Sequence, residues 1–227
     1  MFEIIKNHIG KICIASFLIF IGVIGRLVLI DLLPSSPSLY ITLNGITQPV
    51  LMMDMFFLIA TISIISGMLL KSYYIFIIPI SIMFITDLII GNSYILLFTW
   101  SGFAMIGLIS YVLKIKNKFT MQKIPLIFGA SISSVLLYDL WTNFGCWLGW
   151  YPPTLSGLTV CFTLAIPFML WHLLSTTAAI TFIVIPLIYL KEQRLINIDH
   201  VVNPLEKHIS IAMITVIMFL SIFLFII

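Results

Sequence analysis

Charge is what this sequence has least of. Only 8% of its 227 residues are Asp, Glu, Lys or Arg, against about 25% in a soluble domain. So few charges cannot cover a water-exposed globule, and a hydrophobic content of 62% points to an integral membrane protein. The basic residues form no cluster interleaved with surface aromatics, so no nucleic-acid partner is expected. Cysteine is also scarce. Cys13, Cys146 and Cys161 contain no CxxC pair and no metal-ligand spacing. Buried thiols in apolar helices are favoured over a disulfide between Cys146 and Cys161. The sequence has no Walker motif, so any ATP hydrolysis must come from a partner. No repeat, low-complexity segment or linker divides the apolar part of the chain. No cofactor and no metal are expected.

What the sequence does contain is long apolar runs. A membrane-spanning helix needs about 20 mostly apolar residues. Seven runs qualify: 12–33, 50–70, 73–90, 94–113, 124–150, 163–190 and 209–227. Lipid supplies no partner for backbone N–H and C=O groups, so these runs should be helices. A β-barrel would show short alternating strands instead. The expected fold is an all-α polytopic helix bundle. It has a six-span domain over 1–196, then a polar connection and an additional C-terminal span over 197–227. Lys6 and Lys11 ahead of the first run give it the look of a signal peptide. No small-residue cleavage site follows and the run continues past Arg26, so it reads as an uncleaved first span.

The lysines and arginines set an orientation. Lys6 and Lys11 precede the first span, and Lys71 follows the second. Lys114, Lys116, Lys118 and Lys123 follow the fourth, and Lys191, Arg194 and Lys207 follow the sixth. The connections after the first, third and fifth spans contain no Lys or Arg. By the positive-inside rule the N-terminus should be cytoplasmic and, with seven spans, the C-terminus outside. The basic connections should rest on anionic lipid headgroups.

Ionisable residues inside spans cost about 2.5–3.5 kcal/mol each on insertion scales, so each asks for a reason. Arg26, Asp54, Asp87, Asp139 and His172 lie within spans, with Asp31 at a span end. On the orientation above they all fall at or beyond the midplane on the outer side. Five spans contribute, so the groups could meet in one outward-open cavity. Asp139, Asn143 and Trp147 recur at i, i+4 and i+8, on one helix face. Two uncharged outer connections, 34–49 with Asn44 and Gln48 and 151–162 with Thr154, Ser156 and Thr159, are long enough to fold over a site. The bland alternative is helix pairing, such as Arg26 with Asp54 or Asp87, and interfacial aromatics for Trp147, Trp150 and Tyr151.

Three stretches carry a family resemblance. They are Gln48-Pro49-Val50 with Gly67, Thr86-Asp87-Leu88-Ile89-Ile90-Gly91, and 141–148 (WTNFGCWL) continuing through Tyr151-Pro152, Thr154, Gly157-Leu158 and Ala165-Ile166-Pro167-Phe168. Together they resemble a family of uncharacterised prokaryotic six-span membrane proteins over roughly residues 20–190. That family in turn looks similar to the substrate-binding (S) components of energy-coupling factor transporters. The resemblance implies a small-molecule solute bound near the outer surface. It also implies a membrane coupling protein and cytoplasmic ATPases as partners, and Asn44, Gln48, Asp87, Asn143 and Trp147 as first contacts. Two features depart from that pattern. Ala15, Gly22 and Gly25 lack the spacing of four common in S-component first helices, and Ser175, Thr176 and Thr177 stand where the family carries a carboxylate.

The leading expectation is therefore a membrane solute-binding or transport protein for a small polar or mildly cationic solute, since Asp54, Asp87 and Asp139 outnumber Arg26. The candidate site residues are Arg26, Asn44, Gln48, Asp54, Asp87, Asp139, Asn143, Trp147 and His172. A non-catalytic accessory subunit is the alternative, with Gly102, Gly107, Gly129, Ala130, Ser133 and Ser134 allowing close helix approach. An intramembrane enzyme is the second alternative. Asp87 and Asp139 could share a proton, but the glycine-rich motif expected around the second aspartate is absent. A metal or haem enzyme wants two or more converging ligands, and only His172 lies within a span.

Overall fold

The computed structural model describes residues 2–33, 40–43, 45–70, 73–91, 93, 95–116 and 119–193, with the side chains of 2–10, 30, 43 and 48 excepted. The chain forms α1 (Phe2–Val28), a 3-10 turn (Leu29–Leu32), strands β1 (Tyr40–Leu43) and β2 (Ile46–Pro49), then α2 (Phe56–Leu69) and α3 (Tyr74–Ile90). After these come α4 (Leu96–Ile115), a 3-10 turn (Met121–Lys123), α5 (Ile124–Trp150) and α6 (Leu155–Ala179). A π turn (Ile180–Val184) joins α6 to α7 (Ile185–Glu192). The fold is an all-α bundle, as its apolar runs imply. The expected seventh span lies outside the described residues.

Four helical stretches among the described residues are long and apolar enough to cross a membrane: Lys11–Val28, Leu96–Ile115, Met121–Trp150 and Leu155–Glu192. Large apolar side chains face outward along them, among them Phe17, Phe20, Leu137, Leu140, Leu174 and Phe182. A soluble monomer rarely exposes apolar surface on this scale, so the chain associates with a membrane. Two shorter apolar helices, α2 and α3, complete the bundle.

α2 is its axis. All of its residues except Phe57 and Leu58 are buried, and α1, α3, α4 and α6 surround it. Its hydroxyls are satisfied by its own backbone: Thr61 donates to the Phe57 carbonyl, Ser63 to Ile59 and Ser66 to Ser63. α2 packs tightly on α4, where a Cβ on Gly67 would run into the Gly107 carbonyl oxygen. Gly102 similarly meets the Tyr138 ring. Gly129 has nothing within 4 Å of the position its Cβ would take, so it takes no part in close packing within the described bundle.

Two expected boundaries move. The second span was expected from residue 50, but α2 begins at Phe56 and residues 51–54 are not helical. Local bonds hold this break. Asp54 Oδ1 accepts from the Phe56 amide at 3.0 Å, the Met52 amide donates to the Pro167 carbonyl at 3.2 Å, and Trp171 Nε1 donates to the Asp54 carbonyl at 2.9 Å. At 14 residues, α2 is only about 21 Å long. The stretch 151–162 was expected as a connection, but α6 already starts at Leu155. The Thr154 side chain caps it by accepting from the Gly157 amide at 3.1 Å. Further along, Pro186 has no N–H and clashes with the carbonyl four residues earlier, and the π turn ahead of it absorbs the mismatch.

The outer connection expected over 34–49 carries a hairpin, with Tyr40 opposite Pro49 and Leu43 opposite Ile46. Gly45 (φ +78°) supplies its left-handed turn position. The two ends of the bundle differ in charge. Lys114 Nζ donates to the Leu70 carbonyl at the C-terminus of α2, and Glu192 accepts from the Met121 amide, joining α7 to the start of α5. Lys11, Lys116, Lys123 and Lys191 lie at this same end by helix direction. The hairpin, the α2 break and the N-terminus of α6 lie at the other.

Candidate solute-binding site

The sequence-predicted ionisable residues assemble into two centres rather than one. In the first, α1 and α3 are tied by Arg26 Nη1 on Asp87 Oδ1 at 2.6 Å, and Arg26 also donates to the Thr86 hydroxyl. Trp100 Nε1, from α4, donates to Asp87 Oδ2 at 2.8 Å. One cation meets one anion, both carboxylate oxygens are occupied, and Asp87 is 7% exposed. The two charges cancel, and the carboxylate is buried.

The second centre lies at the α2 break. His172, on α6, sits between two carboxylates. Its Nδ1 is 2.5 Å from Asp139 Oδ1 on α5, and its Nε2 is 3.0 Å from Asp54 Oδ2. The ring is held flat against Phe56, with centroids 3.9 Å apart, and Tyr138 meets it edge-on. Asp139 is buried, and its Oδ2 has no hydrogen-bond partner among the described residues. Asp54 is different: its side chain is 39% exposed.

What exposes Asp54 is a cavity of about 510 Å³, within the usual range for a small-molecule site. Asp54, Asp139 and His172 form its polar wall, with Asn143, Thr142 and Thr99 adding hydrogen-bonding groups. Trp150, Tyr151 and Phe168 supply aromatic surface. Burial pushes the Tyr151 phenol above its ordinary pKa, so it stays neutral at physiological pH. Asn143 is oriented by donating to the Asp139 carbonyl at 2.7 Å, and the buried Cys161 donates to the Asn143 carbonyl at 3.4 Å. All three cysteines are free thiols.

The structure thus brings Asp54, Asp139, Asn143 and His172 together and sets Arg26 and Asp87 apart. Trp147 does not join the cavity wall; its Nε1 donates to the Pro152 carbonyl at 3.1 Å, pinning the turn between α5 and α6. Asn44 and the Gln48 side chain lie outside what is described. Residues that the sequence did not single out also contribute. Trp100 and Thr86 complete the Arg26 centre, and Met52, Thr99 and Phe168 line the cavity. Thr86 and Phe168 stand inside the stretches that carry the family resemblance. Nothing in residue spacing marks Trp100 or Met52.

Irregular backbone at membrane depth is tolerated only where protein buries it or a cavity is lined by it. Residues 51–54 ahead of α2 are non-helical backbone held against α6 beside the cavity, and they define the class: a helical membrane protein with a polar cavity at the N-terminal end of α2. Within that class, residues 7–197 match the model of a family of unknown function, DUF6580, and the chain belongs to that family. No curated protein and no solved structure matches it.

Proposed function

We propose that this protein binds a small solute from the extracytoplasmic side of a cell membrane and hands it to a transport machinery, in the manner of the S component of a micronutrient transporter. The observation that carries the reading is the cavity at the α2 break, where an accessible Asp54 joins a buried His172 and Asp139. Non-helical backbone that lines a cavity within a helical membrane bundle is a recurrent setting for solute sites in transporters. The cavity lies at the end of the bundle opposite the lysines, so the positive-inside rule opens it outward and puts the N-terminus in the cytoplasm. A membrane coupling protein and cytoplasmic ATPases are the partners on this reading.

An intramembrane hydrolase is less well supported. Asp87 is bonded to Arg26 and Trp100 and does not pair with Asp139. Both ring nitrogens of His172 face carboxylates, which leaves neither to activate a hydroxyl or thiol nucleophile. Purification from native membranes in mild detergent tests the proposal. A retained small molecule together with a transmembrane partner and ATPases is expected. A stoichiometric membrane partner with no solute would replace this reading with that of an accessory subunit.

A further inference from the structure

We infer that the solute is a small organic monocation, an amine or quaternary ammonium carried on an apolar or aromatic body. This rests on the solute-binding reading above and adds the ligand's chemical class. The charge of the site follows from a proton count. A neutral imidazole has one donor and one acceptor nitrogen. Between two ionised carboxylates, its acceptor lone pair would face an anionic oxygen at 2.5 or 3.0 Å. The arrangement therefore holds one shared proton, as an imidazolium between two carboxylates or as a neutral imidazole beside one carboxylic acid. Either way Asp54, His172 and Asp139 together carry a charge of −1. A further proton on Asp139 Oδ2 would find no acceptor, because that atom is buried without a partner among the described residues.

Among the described residues, no other one lining the cavity is charged. Arg26 and Asp87 cancel each other outside it. The negative charge is unbalanced, and it is accessible at Asp54, whose side chain is 39% exposed. Trp150, Tyr151 and Phe168 line the same cavity, and aromatic faces attract cations. A monocation neutralises the site without moving a proton. An anion would meet only repulsion, and a neutral solute would leave the charge uncompensated in an apolar pocket.

Cys146 lines the same cavity and serves as the probe. In a variant carrying Cys13→Ser and Cys161→Ser, it is the single thiol. Intact cells are treated with membrane-impermeant methanethiosulfonate reagents, one bearing a quaternary ammonium and one a sulfonate. Each rate is normalised to the same reagent's rate with 2-mercaptoethanol. The cationic reagent is expected to react about tenfold faster, the low end of the enrichment that a cleft of one charge sign gives its counter-ion. Asp54→Asn should bring the ratio close to one, whereas Asp54→Glu should preserve it. Equal rates, or a faster anionic reagent, would overturn the monocation while leaving an outward-open solute cavity. No reaction of Cys146 with either reagent from outside would overturn the outward-open cavity, and the solute-binding reading with it.

Discussion

The two ionisable centres use the same kinds of residue and reach opposite results. At Arg26 and Asp87 the charges balance one to one, and Thr86 and Trp100 add hydrogen bonds. No surplus charge is left over for a ligand, and the centre reads as a clamp among α1, α3 and α4. At Asp54, Asp139 and His172 there are two acids to one base, one carboxylate oxygen has no partner among the described residues, and a cavity opens beside the surplus. A buried charge within a membrane protein is not in itself a site. What separates a fastener from a binding site is unbalanced charge together with accessible space.

That contrast can be broken by mutation. The largest loss of stability should come from opening the clamp. Arg26→Met takes the cation from a buried Asp87 that keeps its bond from Trp100, and should cost about 3–5 kcal/mol, as for other buried pairs that lose one partner. The double variant Arg26→Met with Asp87→Leu should recover more than half of it. Thermal unfolding in detergent reads both, and a double variant no better than the single would contradict a purely structural clamp.

The next largest effect is expected at the second centre. His172→Phe preserves the stacking on Phe56 but leaves two acids with no donor between them, at a cost of about 2–3 kcal/mol. Adding Asp139→Leu should restore stability without restoring solute binding. A smaller loss, about 1–3 kcal/mol, is expected for Gly67→Ala, because the added methyl meets the Gly107 carbonyl rather than a flexible side chain. That variant tests packing alone and should leave solute preference intact in whatever fraction folds. Asp54→Asn sharpens the comparison most. Asparagine can still accept from the Phe56 amide through its Oδ1, as Asp54 does, so stability should change by less than about 1 kcal/mol. Affinity for a cationic solute should nevertheless fall about tenfold or more, equivalent to about 1.4 kcal/mol.

Much of this was legible in the sequence because the membrane imposes strong rules. Apolar run length located the helices, and the cost of burying charge selected Asp54, Asp87, Asp139 and His172. Helical spacing put Asn143 beside Asp139. Other features follow from contacts that spacing does not encode. Residues 50–55 are apolar enough to pass for helix, yet Met52 and Asp54 are held off it by bonds to Pro167, Phe56 and Trp171. The start of α6 is polar enough to pass for a loop, but the Thr154 cap turns it into helix. The hairpin strands are only four residues each, too short for alternation to stand out, although Asn44-Gly45 is a strong turn dipeptide. Whether Asp87 joins Arg26 or the cavity depends on the rotation of α3, which one sequence does not reveal.

The central claim is that the surplus charge at the α2 break holds a solute. Its most direct test is mass spectrometry of the small molecules released from gently purified wild-type protein and from the Asp54→Asn variant. The account predicts a small organic monocation released stoichiometrically from the wild type and lost from the variant. A neutral or anionic molecule retained equally by both would contradict it.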